Sequence, residues 1–233
     1  MKIENSFLNK IHRSNKRFIT IDGITCSGKT LFSELLKKEL SKHYSEIVVI
    51  SKDFFLISRH KRISLTKNIK NLEDINQNHL HYDQKKIKKL FNFLSGKTKE
   101  KNLTLRNLYN RKTGNNNYKR VFIKRNKKLF IYEGLYVNDD IKLLNLPVLK
   151  ILITENVYNS LFRKIKRIRD KKISIQLLIS EFIKIHLYSY KKYLKKNNFN
   201  YSLEFNDNGF YKISKGRNKQ LKNIKNFFSK HSS

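Results

Sequence analysis

The segment Gly23-Ile-Thr-Cys-Ser-Gly28-Lys29-Thr30 constrains this chain more than any other. It fits the pattern G-x-x-x-x-G-K-[ST] in full. It lies between a β-branched run, Arg17-Phe-Ile-Thr-Ile-Asp22, and a stretch from Leu31 to His43 that puts Leu31, Leu35, Leu36 and Leu40 on one helical face. Strand, glycine-containing turn and helix is the context that gives the pattern its physical meaning. The glycines let the backbone curl so that successive N–H groups point at phosphate oxygens, and the helix adds its positive N-terminal end. Gly23, Ile24, Thr25, Cys26, Ser27 and Gly28 are therefore expected to cradle phosphates. Lys29 is expected to bridge the outer phosphates of a nucleoside triphosphate, Thr30 to ligate Mg²⁺, and Leu31 to complete the set at the helix start. Cys26 is the sole cysteine, so no internal disulfide forms, and with no partner base in sight it reads as a loop residue rather than a nucleophile.

A second strand, Ile47 to Ser51, follows the helix directly, and a β-α-β order implies a parallel sheet. The 233 residues, 39% of them hydrophobic, suit one core of ordinary size. Further strands are predicted at Leu129 to Tyr132, Val148 to Thr154 and Tyr201 to Phe205. Helices are predicted at Asp83 to Leu94, Val157 to Asp170, Ile175 to Lys195 and Asn218 to Phe228. Residues 57–82 and 97–120 read as polar, irregular connections, and His60, His79 and His81 as loop surface. No apolar stretch approaches the ~20 residues of a membrane span, and with no secretory signal the chain is expected to be cytoplasmic.

Lys and Arg number 52 against 18 Asp and Glu, a formal charge of +34. Such a balance suggests polyanion partners, but the absence of alanine and abundance of Lys, Asn and Ile also match the drift of an AT-rich genome. Against that bias the few acids at strand ends stand out. Ligands of a parallel sheet bind at the carboxyl ends of its strands, which is where Asp53 and Glu133 fall. A phosphotransferase needs one carboxylate to take the acceptor's proton and further oxygens to hold Mg²⁺. Asp53 is assigned the first role, and Thr30, Asp53 and Glu133 together form the expected metal set. Asp22, just before the first glycine, reads as a structural turn.

From about Phe18 to Phe205 the chain resembles the uridine kinase and phosphoribulokinase family, which includes ribosylnicotinamide kinases. Gly23 to Thr30 is similar to the family's phosphate loop. Val49-Ile-Ser-Lys-Asp-Phe-Phe55 is similar to its strand-two signature, in which the aspartate is the catalytic base. Ile131-Tyr-Glu-Gly-Leu135 resembles the strand ending in a Mg²⁺-associated glutamate. Leu108-Tyr-Asn-Arg-Lys-Thr113 resembles a segment of the nucleoside pocket, and Arg163 to Asp170 the basic lid helix that clamps ATP. Two departures stand out: Asn110 replaces an aspartate, and Lys171-Lys-Ile-Ser-Ile175 replaces the arginines that usually follow the lid.

The resemblance implies a P-loop NTPase fold of class α/β, a three-layer sandwich with a central parallel sheet and a small helical lid at about 157–175. The kinase domain is placed at 17–215, preceded by a leader or loose tail at 1–16 and followed by a C-terminal helix and tail at 216–233. It also implies an ATP- and Mg²⁺-dependent kinase acting on a 5′-hydroxyl, with Lys29, Asp53 and Arg169 catalytic and Asp53, Tyr109, Arg111 and Asp83 at the acceptor. The expected acceptor is a uridine- or cytidine-like nucleoside, and nicotinamide riboside is the alternative. A rival from another class is a basic nucleic-acid-binding protein, for which charge alone speaks. With no RNP-type strand, zinc spacing or helix-turn-helix pattern, any such binding is expected to be non-specific and electrostatic. Oligomeric state stays open.

Overall fold

The computed structural model describes residues 2–67, 80–117, 120–124, 129–143, 146–168, 174–205, 211–214, 216 and 218–230. Its centre is a sheet in the order β2-β5-β1-β6-β7-β8: Ile47–Ser51, Leu129–Glu133, Phe18–Gly23, Val148–Thr154, Tyr201–Phe205 and Tyr211–Ser214. All neighbours are parallel except the last pair. The inner strands are near-continuous Ile, Leu and Phe runs because both faces are covered, and all five residues of β5 are buried. On one face Ile19, Ile21, Ile131 and Ile151 meet Phe32 and Leu36 of the helix α2 (Lys29–Leu40) and Phe7 and Ile11 of the helix α1 (Asn5–Arg13). On the other, Phe130 and Tyr132 meet Leu90 and Phe91 of a helix at Gln84–Leu94. Each fully buried Phe or Leu of this kind contributes about 1.5–3 kcal/mol. The α/β fold with layered helices is as the resemblance implied.

Register sets the site. Glu133 lies opposite Ile21 on one side and Ser51 on the other, so the ends of β1, β5 and β2 form one edge. The phosphate loop leaves that edge from β1, and a 3₁₀ turn, Lys52–Phe55, leaves it from β2 carrying Asp53.

Three departures from the sequence reading concern the irregular regions. Residues 97–120 are not all loop: Asn102–Leu105 pairs antiparallel with Val121–Lys124, and the buried Leu103, Leu105 and Ile123 fasten this hairpin to the core. Residues 57–82 contain a helix, Arg59–Lys67. His81 is not loop surface; it lies beside Tyr82, whose backbone bridges to Leu56, and its carbonyl accepts from the Ile57 N–H at 3.0 Å. The predicted helix from Ile175 is helical in three parts, α-helical at Ile175–Glu181, π-wound at Phe182–Leu187 and α-helical at Tyr188–Lys196. Arg169 and His79 lie outside the described residues.

Candidate active site

The phosphate loop is held in shape by its own side chains and by the sheet. Gly28 has φ +89°, a left-handed conformation that Gly adopts at no steric cost. A Cβ on Gly23 would come within 2.5 Å of Ser27 Oγ and 2.8 Å of the Ile153 carbonyl, so only glycine fits between loop and strand. Cys26 also takes a left-handed φ, 59°. Lys29 folds back inside this curl and donates to the carbonyls of Gly23 at 2.9 Å and Ile24 at 2.8 Å. Burial pushes the Lys29 ammonium's pKa down, against the opposing pull of Glu133 and Asp22.

Asp22 is not a simple turn residue. Fully buried, its carboxylate accepts from the Gly23 N–H at 2.7 Å, the Val137 N–H at 3.1 Å, the Tyr190 hydroxyl at 2.7 Å and the Tyr193 hydroxyl. It thereby ties the loop's first residue to the turn after Glu133 and to the helix Tyr188–Lys196. Burial raises its pKa despite these donors. A spacing signal was present: Tyr190 and Tyr193 stand three apart on one helix face.

Thr30 Oγ1 donates to Glu133 Oε1 at 3.3 Å, so the hydroxyl and carboxylate expected at a metal ion converge. Oxygen donors at a phosphate loop are the donor set that Mg²⁺ takes, and in that respect these residues fit the ion. Asp53 forms an ion pair with Arg111. The loop bearing Tyr109 and Arg111 is fastened to the Asp53 turn by Tyr109 N–H to Phe54 O at 2.9 Å and Arg59 N–H to Gly114 O at 2.9 Å. Arg62 donates to the Tyr109 hydroxyl at 2.6 Å and stacks over that ring, Cζ 4.9 Å from its centre.

Lys29, Thr30, Glu133, Asp53, Arg62, Tyr109 and Arg111 line one open cleft of about 730 Å³. Thr25 to Leu31 and Glu133 share it with Arg111, which faces Glu133 and Cys26 and pairs with Asp53; Tyr109 and His81 gather around Arg62, with Tyr82 and His186 also on the wall. Three expected residues are not brought together with the rest. Asp83 does not line the cleft; its carboxylate caps the helix Gln84–Leu94, accepting from Lys86 N–H at 3.1 Å. Gly23 and Ile24 stay beneath the loop and meet the site only through Lys29.

The basic stretch Arg163 to Asp170 was expected to clamp phosphates, with Arg169 singled out; the described structure places Arg163 and Arg167 of that stretch, and Ser160 before it, at the loop. On the helix Val157–Ile168, Ser160 donates to the Thr25 carbonyl, Arg163 to the Cys26 carbonyl at 3.3 Å, and Arg167 to Cys26 Sγ at 2.7 Å. Their spacing of three and four residues puts them on one face, which the choice of Arg169 alone overlooked.

A phosphate loop at the edge of a parallel sheet, a buried lysine within it and an arginine-bearing helix above it define a P-loop phosphotransferase. The chain belongs to the Phosphoribulokinase / Uridine kinase family, whose profile it matches over residues 18–203. Among curated proteins no sequence match reaches significance. Solved structures with the same fold include one titled "possible uridine kinase" from Bacillus stearothermophilus (TM-score 0.54, 18% identity, 82% of this chain and 89% of that one). Another is D-glycerate 3-kinase from Cryptococcus neoformans (TM-score 0.56, 13% identity, 89% and 94%). A third is phosphoribulokinase from Rhodobacter spheroides (TM-score 0.51, 13% identity, 82% and 70%). The protein is a kinase of this family. No described helix is long and apolar enough to cross a membrane.

Proposed function

We propose that the protein transfers the γ-phosphate of ATP to the 5′-hydroxyl of a uridine- or cytidine-like nucleoside. The observation that carries this reading is the cleft itself. Its phosphate loop and its rings, Tyr82, Tyr109 and His81, face one space, and Asp53 lies on its wall. A planar base suits stacked rings and imidazoles better than it suits an all-carboxylate or all-cation wall.

Lys29 exchanges its two backbone carbonyls for phosphate oxygens, a swap that costs little because the cradle is already shaped for an ammonium. Asp53 accepts the proton of the acceptor hydroxyl, and Arg111, its ion-pair partner, holds the carboxylate in place. Arg163 and Arg167 approach from the lid and offset negative charge on the phosphates. Thr30 and Glu133 would hold Mg²⁺, with Asp53 nearby, and the ion when bound neutralises charge on the phosphates. Arg169, two residues beyond Arg167 in sequence, is proposed to act on the phosphates with Arg163 and Arg167.

The test is phosphate transfer from labelled ATP with a panel of uridine, cytidine, nicotinamide riboside, D-glycerate and a pentose 5-phosphate. Transfer to pyrimidine nucleosides above all others supports the reading. Turnover confined to D-glycerate or the sugar phosphate overturns it.

A further inference from the structure

Two buried nitrogens near the cleft meet no hydrogen-bond partner among the described residues: His186 Nδ1 and Lys164 Nζ. They come from different elements, the π-wound stretch Phe182–Leu187 and the lid helix Val157–Ile168, and meet around one ring. Lys164 Nζ lies 5.5 Å above the centre of Phe182, and the His186 ring is 6.4 Å from the same centre. A buried polar atom left unpaired costs about 1–3 kcal/mol, so two of them beside a cleft point to a ligand that supplies their partners. A single-turn π segment is a frequent device for turning a side chain toward such a site.

The chemistry of the missing partner follows from the two nitrogens. Glu181 Oε1 stands 3.9 Å from His186 Nε2, which favours the ring proton on that side and leaves Nδ1 as an acceptor. Burial, with Lys164 the leading charge, holds His186 well below its usual pKa, so the ring is neutral. Lys164 Nζ can only donate. Glu181 is the carboxylate beside this pair, facing both His186 and Lys164, while Arg62 adds a second positive charge to that of Lys164, so the charges around His186 sum to a positive one.

We propose that His186, backed by Lys164, determines acceptor specificity: His186 Nδ1, on the cleft wall, accepts from the edge of an uncharged heterocycle, as a pyrimidine base presents, with the Lys164 ammonium behind it. Arg62 and Lys164 exclude a positively charged ring. This rests on the nucleoside reading above and narrows it, because nicotinamide riboside carries its charge in the ring that would face these cations.

The experiment compares wild type, His186→Phe, His186→Asn and Lys164→Met, with ATP affinity measured first by calorimetry to establish that each variant is folded. In wild type, kcat/KM for uridine or cytidine should exceed that for nicotinamide riboside by at least about tenfold, one hydrogen-bonded contact plus the charge penalty. His186→Phe should raise the nucleoside KM roughly five- to tenfold with kcat changed less than about twofold, and His186→Asn, which keeps a polar atom near Nδ1, should recover most of it. Lys164→Met should narrow the gap between the neutral and cationic acceptors. An unchanged nucleoside KM in His186→Phe, or a wild-type preference for nicotinamide riboside, overturns the proposal while leaving the nucleoside kinase intact. Preference for D-glycerate or a sugar phosphate overturns both, since the two nitrogens would then be reading an anion.

Discussion

Lys52 Nζ lies 2.7 Å from Asp140 Oδ2, with the two side chains 0% and 2% exposed, directly beneath the residue that carries the proposed base. The pair is embedded further: Lys52 also donates to the Tyr136 carbonyl at 3.2 Å, and the Tyr132 hydroxyl donates to Asp140 at 2.9 Å. Burial pushes the Lys52 pKa down, and Asp140 opposes it. Removing one member strands the other's charge in the core, which typically costs 3–5 kcal/mol, whereas replacing both with apolar groups is far milder. Lys52→Met should therefore lower the urea midpoint sharply, and adding Asp140→Leu should restore much of it. Equal destabilisation by the single and double variants would show that the charges are not coupled.

Gly134 makes the same region sensitive from the other side. Its φ is +154°, and an added Cβ would meet Lys52 Cβ at 2.6 Å. Since it follows Glu133, Gly134→Ala is expected to cost at least about 1–3 kcal/mol from backbone strain and to lower phosphate transfer as well. Thermal melts and single-turnover rates check both parts, and a variant with wild-type Tm would contradict the close approach.

Much of this edge was legible in the sequence because its chemistry and its folding use the same residues. The glycines of Gly23 to Thr30 both bend the chain and mark the loop, and the apolar runs before Asp53 and Glu133 are buried strands on both faces. The hairpin of Asn102–Leu105 and Val121–Lys124 was hidden, since each strand has four residues and only Leu103, Leu105 and Ile123 are buried amid Lys and Asn. Helix Arg59–Lys67 has no apolar stripe to announce it, because Arg62 faces the cleft instead of a core. His81 and His186 are remote in sequence and only the fold brings both to the cleft wall, so no spacing rule links them.

Those histidines predict an acid dependence of stability. Burial, then Arg62, lowers His81 from 6.5 to about 4, and His186 is lowered too. The unfolded chain thus binds protons that the folded chain refuses. Stability is full above about pH 6.5 and falls as pH drops toward about 4. Asp22, raised by burial, acts with the opposite sign, since the folded chain takes up its proton first. Subtracting the Tm profile of His81→Asn/His186→Asn from that of wild type isolates the imidazoles. The difference should decline between about pH 6.5 and about pH 4, and a flat difference would rule the mechanism out.

For Lys29 the expectation is a loss of chemistry without loss of fold. Lys29→Ala removes the ammonium held by the Gly23 and Ile24 carbonyls beneath the loop and leaves the glycines that shape the loop in place. Phosphate transfer should fall by about two orders of magnitude or more. Near-normal turnover in a variant with unchanged far-ultraviolet circular dichroism would refute the assignment.

Asp53→Asn separates binding from chemistry most cleanly. The carboxylate stands on the turn after β2, outside the phosphate loop, and its ion-pair partner Arg111 belongs to the loop fastened at Phe54. Asn keeps the size and a hydrogen bond to Arg111 but loses the charge and the proton acceptor. ATP affinity should change little, because Lys29, Thr30 and the loop amides remain. Transfer should fall by roughly 10²–10⁴-fold, the range for losing a positioned general base. Arg111→Gln supplies the control: it leaves the base in place but unpaired, so its loss should be smaller. Calorimetry with ATP and the transfer rate on the best acceptor together decide the matter. If Asp53→Asn stays within a factor of about three of wild type while ATP binding is intact, Asp53 only shapes the turn, and the proton goes elsewhere.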